Sequence, residues 1–103
     1  MKEDIKKSLN EEGTGDGAGR VYSYPHSMKF VGEDLVLASK TYFIILTPSE
    51  VDVIRTVVGE NKPQMLHNDT LLVYQRDNHV VFEDLTVTRV MMVNITNLMT
   101  IIG

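Results

Sequence analysis

A break in composition at Arg20 limits what this chain can fold into. Four of the seven glycines, Gly13, Gly15, Gly17 and Gly19, alternate just ahead of it, and residues 1–20 carry nine charged side chains against the apolar Met1, Ile5, Leu9 and Ala18. That stretch offers too little apolar surface to offset the entropy of ordering its backbone. The sequence therefore predicts a flexible, Gly-rich N-terminal tail over residues 1–20 and a single domain over residues 21–103. The domain alone must supply the core. The alternating glycines have neither the Lys-Ser/Thr pair of a phosphate loop nor its GxGxxG counterpart, and no strand precedes them, so they read as a linker.

What remains is one ordinary domain. The chain has 103 residues, no Cys and no Trp, 43% apolar residues and a formal charge of -4. Without cysteine there is no disulfide, no thiolate nucleophile and no Cys-ligated metal. The acidic balance gives no long-range pull on a polyanion. The longest apolar run, Tyr42–Leu46, is far short of the about 18 to 20 residues that span a bilayer, and Met1–Ser8 lacks the apolar stretch of a secretory signal. The expectation is a cytoplasmic protein with no membrane partner.

From Val21 onward the pattern is mainly that of strands. Val21–Tyr24 stops at Pro25, and Ser27–Val31 leads through Gly32-Glu33-Asp34 into Leu35, as a hairpin would. Leu35–Leu46 reads as two strands or one bent strand. Tyr42–Leu46 is apolar on both parities, which predicts a central strand covered on both faces. Thr47-Pro48-Ser49-Glu50 is a helix start: an N-cap hydroxyl, a proline at the first helical position and a capping-box Glu. The stripe Val51, Ile54, Val58 and the following Gly59 set the helix at Pro48–Val58, with Gly59 as its left-handed terminus. Residues 60–69 read as a loop, and Asp77-Asn78 as the type I′ turn of a hairpin between Thr70–Arg76 and His79–Glu83. Leu85–Val93 alternates as a strand. Ile95–Ile102 fits either period, and the strand reading is preferred. The fold class that follows is α+β: a small curved antiparallel sheet or partial β-barrel of five to seven strands with one short helix at about 48–58.

Little in this pattern carries chemistry. His26, His67 and His79 are isolated from one another, and His67-x-Asp69 is too short a motif to define a metal site. No nucleophile elbow is present. The carboxylate pairs Glu33-Asp34 and Glu83-Asp84 sit beside turns, where solvated acids belong. The sequence thus predicts no catalytic residue, no metal, no cofactor and no enzyme. Binding features are better represented. Ile5 and Leu9 stand four apart, so residues 3–10 can form a short amphipathic helix in a partner's groove. Met91 and Met92 face opposite ways on an apolar strand, which suggests a surface shared with a protein partner or a second copy. Tyr22 and Tyr24 share one strand face near Arg20, His26 and Lys29, the arrangement with which a sheet stacks single-stranded bases.

The opening Met1-Lys2, followed by a charged, weakly amphipathic stretch that ends in Leu9-Asn10-Glu11 and then Glu12-Gly13, resembles the cleavable capsid-targeting propeptides of large tailed-phage head proteins. That resemblance covers residues 1–13 only. It implies processing after Glu11, with Leu9, Asn10 and Glu11 read by a prohead protease, and a location in the host cytoplasm or virion. The combined expectation is a non-enzymatic protein-binding or assembly module, of phage structural or host-interaction type, that uses its tail and an apolar sheet face and self-associates or binds a protein. The alternative is a small β-barrel that binds single-stranded nucleic acid through Tyr22 and Tyr24.

Overall fold

Short apolar segments joined by polar turns can satisfy their backbone groups locally by pairing with the next segment. The computed structural model, which describes residues 20–103, is built largely that way. Its elements are β1 (Val21–Ser23), β2 (Ser27–Val31), β3 (Asp34–Ala38), β4 (Phe43–Leu46), α1 (Pro48–Glu60), β5 (Gln64–Leu66), β6 (Leu71–Arg76), β7 (His79–Asp84), β8 (Arg89–Asn94) and α2 (Ile95–Ile102). The class is α+β. Eight strands form two open sheets, β1-β8-β7-β6-β5 and β2-β3-β4. The larger is mixed because β1 runs parallel to β8, while every other pair is antiparallel.

The β2–β3 hairpin turns at Gly32-Glu33, where Gly32 has a φ of 63° that a side chain would strain. The Leu35–Leu46 stretch resolves into two strands, closed by the Ser39 N–H donating to the Tyr42 carbonyl at 2.8 Å. The expected central strand is instead the edge strand β4. Ile44 and Leu46 enter the core, while Phe43 is 61% and Ile45 44% exposed. A run that is apolar on both parities describes a doubly covered strand and a greasy edge equally well.

Helix α1 begins as its residues dictate: the Glu50 carboxylate accepts the Thr47 N–H at 2.9 Å. It runs through Gly59, however, and Asn61 takes the left-handed position (φ 53°), its N–H donating to the Val57 carbonyl at 2.8 Å. Asn tolerates that conformation, so the helix gains nothing by stopping at the glycine. The expected loop at 60–69 contains strand β5, whose Leu66 is buried and whose Met65 faces outward. After it, His67, Asn68 and Asp69 hold successive φ values of 53°, 55° and 64°. These are residue types that accept left-handed backbone, and Thr70 Oγ1 donates to the His67 carbonyl at 2.7 Å to close the turn.

Three further expectations are corrected. Of Asp77-Asn78, only Asp77 has a positive φ (54°), so the β6–β7 loop is not type I′. Leu85–Thr88 is a loop rather than the start of a strand. Asp84 Oδ1 accepts both the Thr86 N–H at 2.9 Å and its hydroxyl at 2.6 Å, which folds the chain away from the sheet and leaves Leu85 and Val87 exposed. Ile95–Ile102 is helix α2, not a strand. The Asn94 side chain accepts the Asn97 N–H at 3.0 Å as N-cap, Leu98 and Ile102 are buried, and Arg55 donates to the Ile102 carbonyl at 2.5 Å.

One core gathers these parts. Leu35, Leu37, Ile44 and Leu46 of the smaller sheet, Val51, Ile54 and Val57 of α1, and Leu98 and Ile102 of α2 pack with Val73, Val80, Phe82, Met91 and Val93 of the larger sheet. All five of those sheet residues lie on one face, as cross-strand partners Val73↔Phe82↔Met91 and Val80↔Val93 require. The opposite face of the five-stranded sheet is left for other use.

Candidate functional site

Register fixes what that opposite face displays. One row across it is Tyr22↔Val90↔Glu83↔Leu72↔Met65, and the next is Met92↔Val81↔Tyr74. Tyr24 follows Tyr22 by two residues, and its ring meets that of His79, on the same face, edge-on at 6.0 Å. Three of the four tyrosines thus share this surface with five apolar side chains, Met65, Leu72, Val81, Val90 and Met92. Among the described residues both helices and the Leu35, Leu37, Ile44 and Leu46 side of the smaller sheet pack against the other face, while Phe30, Val31, Phe43 and Ile45 of the smaller sheet are themselves exposed. Even so, Val81 is 1% and Val90 2% exposed. Their larger neighbours Tyr22, Tyr74 and Met92 flank them directly.

The charges on this surface are arranged rather than scattered. Glu83 is 7% exposed, and its Oε2 lies 2.7 Å from a guanidinium nitrogen of Arg20, the residue that leads into β1. Pairing makes a buried carboxylate tolerable on an otherwise apolar face. At one end of the face, a cleft of about 420 Å³ opens between the β1–β2 connection and α2, lined by Tyr24, His26, Met28, Met92, Asn97 and Ile101 among others. Its mixed walls suit a side chain or short peptide inserted from outside.

The structure brings together some of the residues singled out in the sequence and separates others. Tyr22, Tyr24 and Met92 meet on the open face, although they were proposed for two different kinds of partner. Met91 does not join them. It is fully buried against Phe82 in the core, so a partner touching β8 meets Met92 instead; strand alternation sends adjacent residues to opposite sides. Ile5, Leu9, Asn10 and Glu11 lie outside the described residues. Tyr74, Leu72, Val81 and Val90 were missed as candidates, though the doubly apolar runs Leu71–Tyr74 and Val80–Phe82 signalled strands greasy on both faces.

Two polar clusters lie elsewhere. Tyr42 donates to Asp84 Oδ2, and the Arg89 guanidinium sits over the Tyr42 ring at 5.1 Å while also donating to the Thr41 hydroxyl at 3.3 Å. Burial, then the Asp84 hydrogen bond and charge, raise the Tyr42 pKa, with Arg89 opposing. Burial would by itself raise Asp84. The bonds donated by the Thr86 hydroxyl, the Tyr42 hydroxyl and the backbone N–H groups of Thr86 and Val87 outweigh it and hold that carboxyl below its ordinary value. This network ties the β3–β4 turn of one sheet to the β7–β8 end of the other. The second cluster places His67 Nε2 at 3.2 Å from the Ile45 carbonyl and 3.5 Å from Glu50 Oε2, a contact on the outer edge of β4.

Neither cluster assembles a nucleophile, a base and an orienting acid. Among the described residues no group of three or more His, Asp or Glu side chains is placed to hold a metal ion. Likewise, no described helix is long and apolar enough to cross a membrane. Comparison with family models, curated proteins and solved structures finds no match to the chain.

Proposed function

We propose that this protein is a non-enzymatic binding module that receives a protein partner on the open face of its five-stranded sheet. The observation that carries the reading is the half-buried set Leu72, Met92, Tyr22 and Tyr74, lying over the buried Val81 and Val90 and flanked by the exposed Tyr24 and Met65, on one face of the five-stranded sheet. Contiguous apolar surface of this kind marks interaction sites, and tyrosines with an apolar body and a polar tip are the usual rim of such interfaces. A role in phage assembly is part of the proposal only through the resemblance of residues 1–13. The test is a photo-crosslinking side chain placed in turn at Leu72, Met92 and, as control, Phe43, in the native host. Adducts to one protein from positions 72 and 92, abolished by Met92→Glu used with the probe at 72, are the expected result. Equal labelling from all three positions would defeat it.

A second reading has one observation in its favour: Tyr22, Tyr24, Tyr74 and His79 share the face with Arg20 and Arg76, and rings beside cations stack unpaired bases. It ranks lower. Arg20 is already paired with Glu83, the Tyr24 ring already packs on His79, and the chain is net acidic. Quenching of tyrosine fluorescence by a thymidine oligonucleotide at low salt, lost in the Tyr22→Ala, Tyr24→Ala variant, would promote it.

A further inference from the structure

Each open sheet has two edges, and the edges are not equivalent. Strands β1 and β5 have three residues each, too few to hold an added strand. On β4, of four residues, the Ile45 carbonyl points away from β3 and already lies 3.2 Å from His67 Nε2. Strand β2 is the longest of these edges at five residues, and among the described residues no strand pairs with its far side. Register determines which groups are free there. The two-residue turn at Gly32-Glu33 makes Val31↔Asp34 a hydrogen-bonded pair, so Lys29 and Ser27 also bond to β3, while the N–H and C=O of Met28 and Phe30 point to the open edge. The Met28 and Phe30 side chains lie on the core side of this sheet, with Phe30 43% exposed, and Lys29 stands on the outer side.

The cleft between the β1–β2 connection and α2 adjoins this edge. Ser27 and Met28 of β2 line it and no residue of β3 or β4 does, so it opens beside the strand rather than beneath the sheet. Pro25, Met28, Met92 and Ile101 give it an apolar wall, and no Asp, Glu, Lys or Arg lines it.

We infer that the partner docks by adding an extended segment antiparallel to β2, with one apolar side chain in the cleft. This deepens the binding-module reading and rests on it, since Tyr24 and Met92 belong to both the cleft and the five-stranded sheet's open face. Met28 and Phe30 each exchange both backbone hydrogen bonds with the residue opposite. Alternation then dictates the segment's sequence. The residue opposite Met28 enters the cleft, the next faces outward beside Lys29, and the third packs on the exposed Phe30 ring. The ligand is therefore an extended peptide that reads apolar, acidic, apolar. Lys29 also selects against a second copy as the occupant. The register that uses Met28 and Phe30 of both chains sets the two Lys29 side chains directly opposite each other, where like charges repel.

The test is a blocked nonapeptide with Leu-Glu-Val at its centre and Thr and Ser around it, titrated into isotope-enriched full-length protein and followed by NMR. The expected result is saturable shifts of the Met28 and Phe30 amides together with the methyl groups of Met28, Met92 and Ile101. A Leu-Lys-Val version should bind about fivefold more weakly, and Lys29→Glu should invert that preference. Shifts confined to the cleft, equal affinity for the two peptides, or no shift with either would overturn the inference. So would concentration-dependent shifts of the same amides without peptide, which would make a second copy the occupant. The crosslinks from positions 72 and 92 are read separately: their loss with the peptide shifts intact faults the sheet-face reading alone, and the reverse outcome faults only the strand addition.

Discussion

At Tyr42, a single hydroxyl joins two sheets. It donates to Asp84 across the boundary between the β3–β4 turn and β7, with Arg89 stacked on its ring. A hydrogen bond to a charged acceptor is worth more than a neutral one, so Tyr42→Phe should lower stability by about 1.5 kcal/mol in denaturant melts at neutral pH. The pH dependence has two limbs with opposite signs. Because the folded Asp84 pKa lies below the ordinary 3.8, its contribution is present above that value and disappears as pH falls through the folded pKa. Because the folded Tyr42 pKa lies above 10.0, its contribution is full below 10 and declines as pH rises beyond it. Asp84→Asn should therefore flatten the acid limb, and Tyr42→Phe the alkaline one; an unchanged alkaline limb in Tyr42→Phe would show that the bond does not hold in solution. None of this network was legible in the sequence, where Tyr42 and Asp84 are forty-two positions apart.

At the scale of the element, the two helices show how far local signals carry. Helix α1 has its start written into Thr47-Pro48-Ser49-Glu50, and the structure begins it there. Its end is two residues later than the glycine suggested, since Asn61 supplies the left-handed cap that Gly59 was expected to provide. Helix α2 had a fitting stripe at Ile95, Leu98, Met99 and Ile102, yet alternation fitted as well, and eight residues are too few for the period to decide. The signal passed over was Asn94, a side chain suited to an N-cap, three residues before Asn97. Its removal in Asn94→Ala should cost about 1 kcal/mol, read as a lower midpoint in urea with an unchanged slope. Asn94→Asp should retain most of the stability. A loss as large in Asn94→Asp as in Asn94→Ala would argue against the capping role.

For the whole molecule, the decisive fact is that β8 lies inside a five-stranded sheet with one face in the core and the other open. Adjacent methionines then have opposite fates. Met91→Ala should cost about 2 to 5 kcal/mol, as truncations that leave a cavity do, whereas Met92→Glu should cost about 1 kcal/mol or less and act on binding instead. Comparable destabilisation by both would mean that the second face is as firmly covered as the first. The sequence by itself determined the α+β class, the strand-rich body from Val21, the hairpins around Gly32 and Asp77-Asn78 and the start of α1, because each follows from local spacing, turn chemistry or capping. Only the tertiary structure decided that β4 is an edge, that β1 closes against β8, that Met91 is core, and that Tyr22, Tyr24, Tyr74 and Met92 share a surface. Such outcomes depend on which strands become neighbours, and strand pairing between distant segments is selected by the joint burial of the whole core, which no short window of sequence contains.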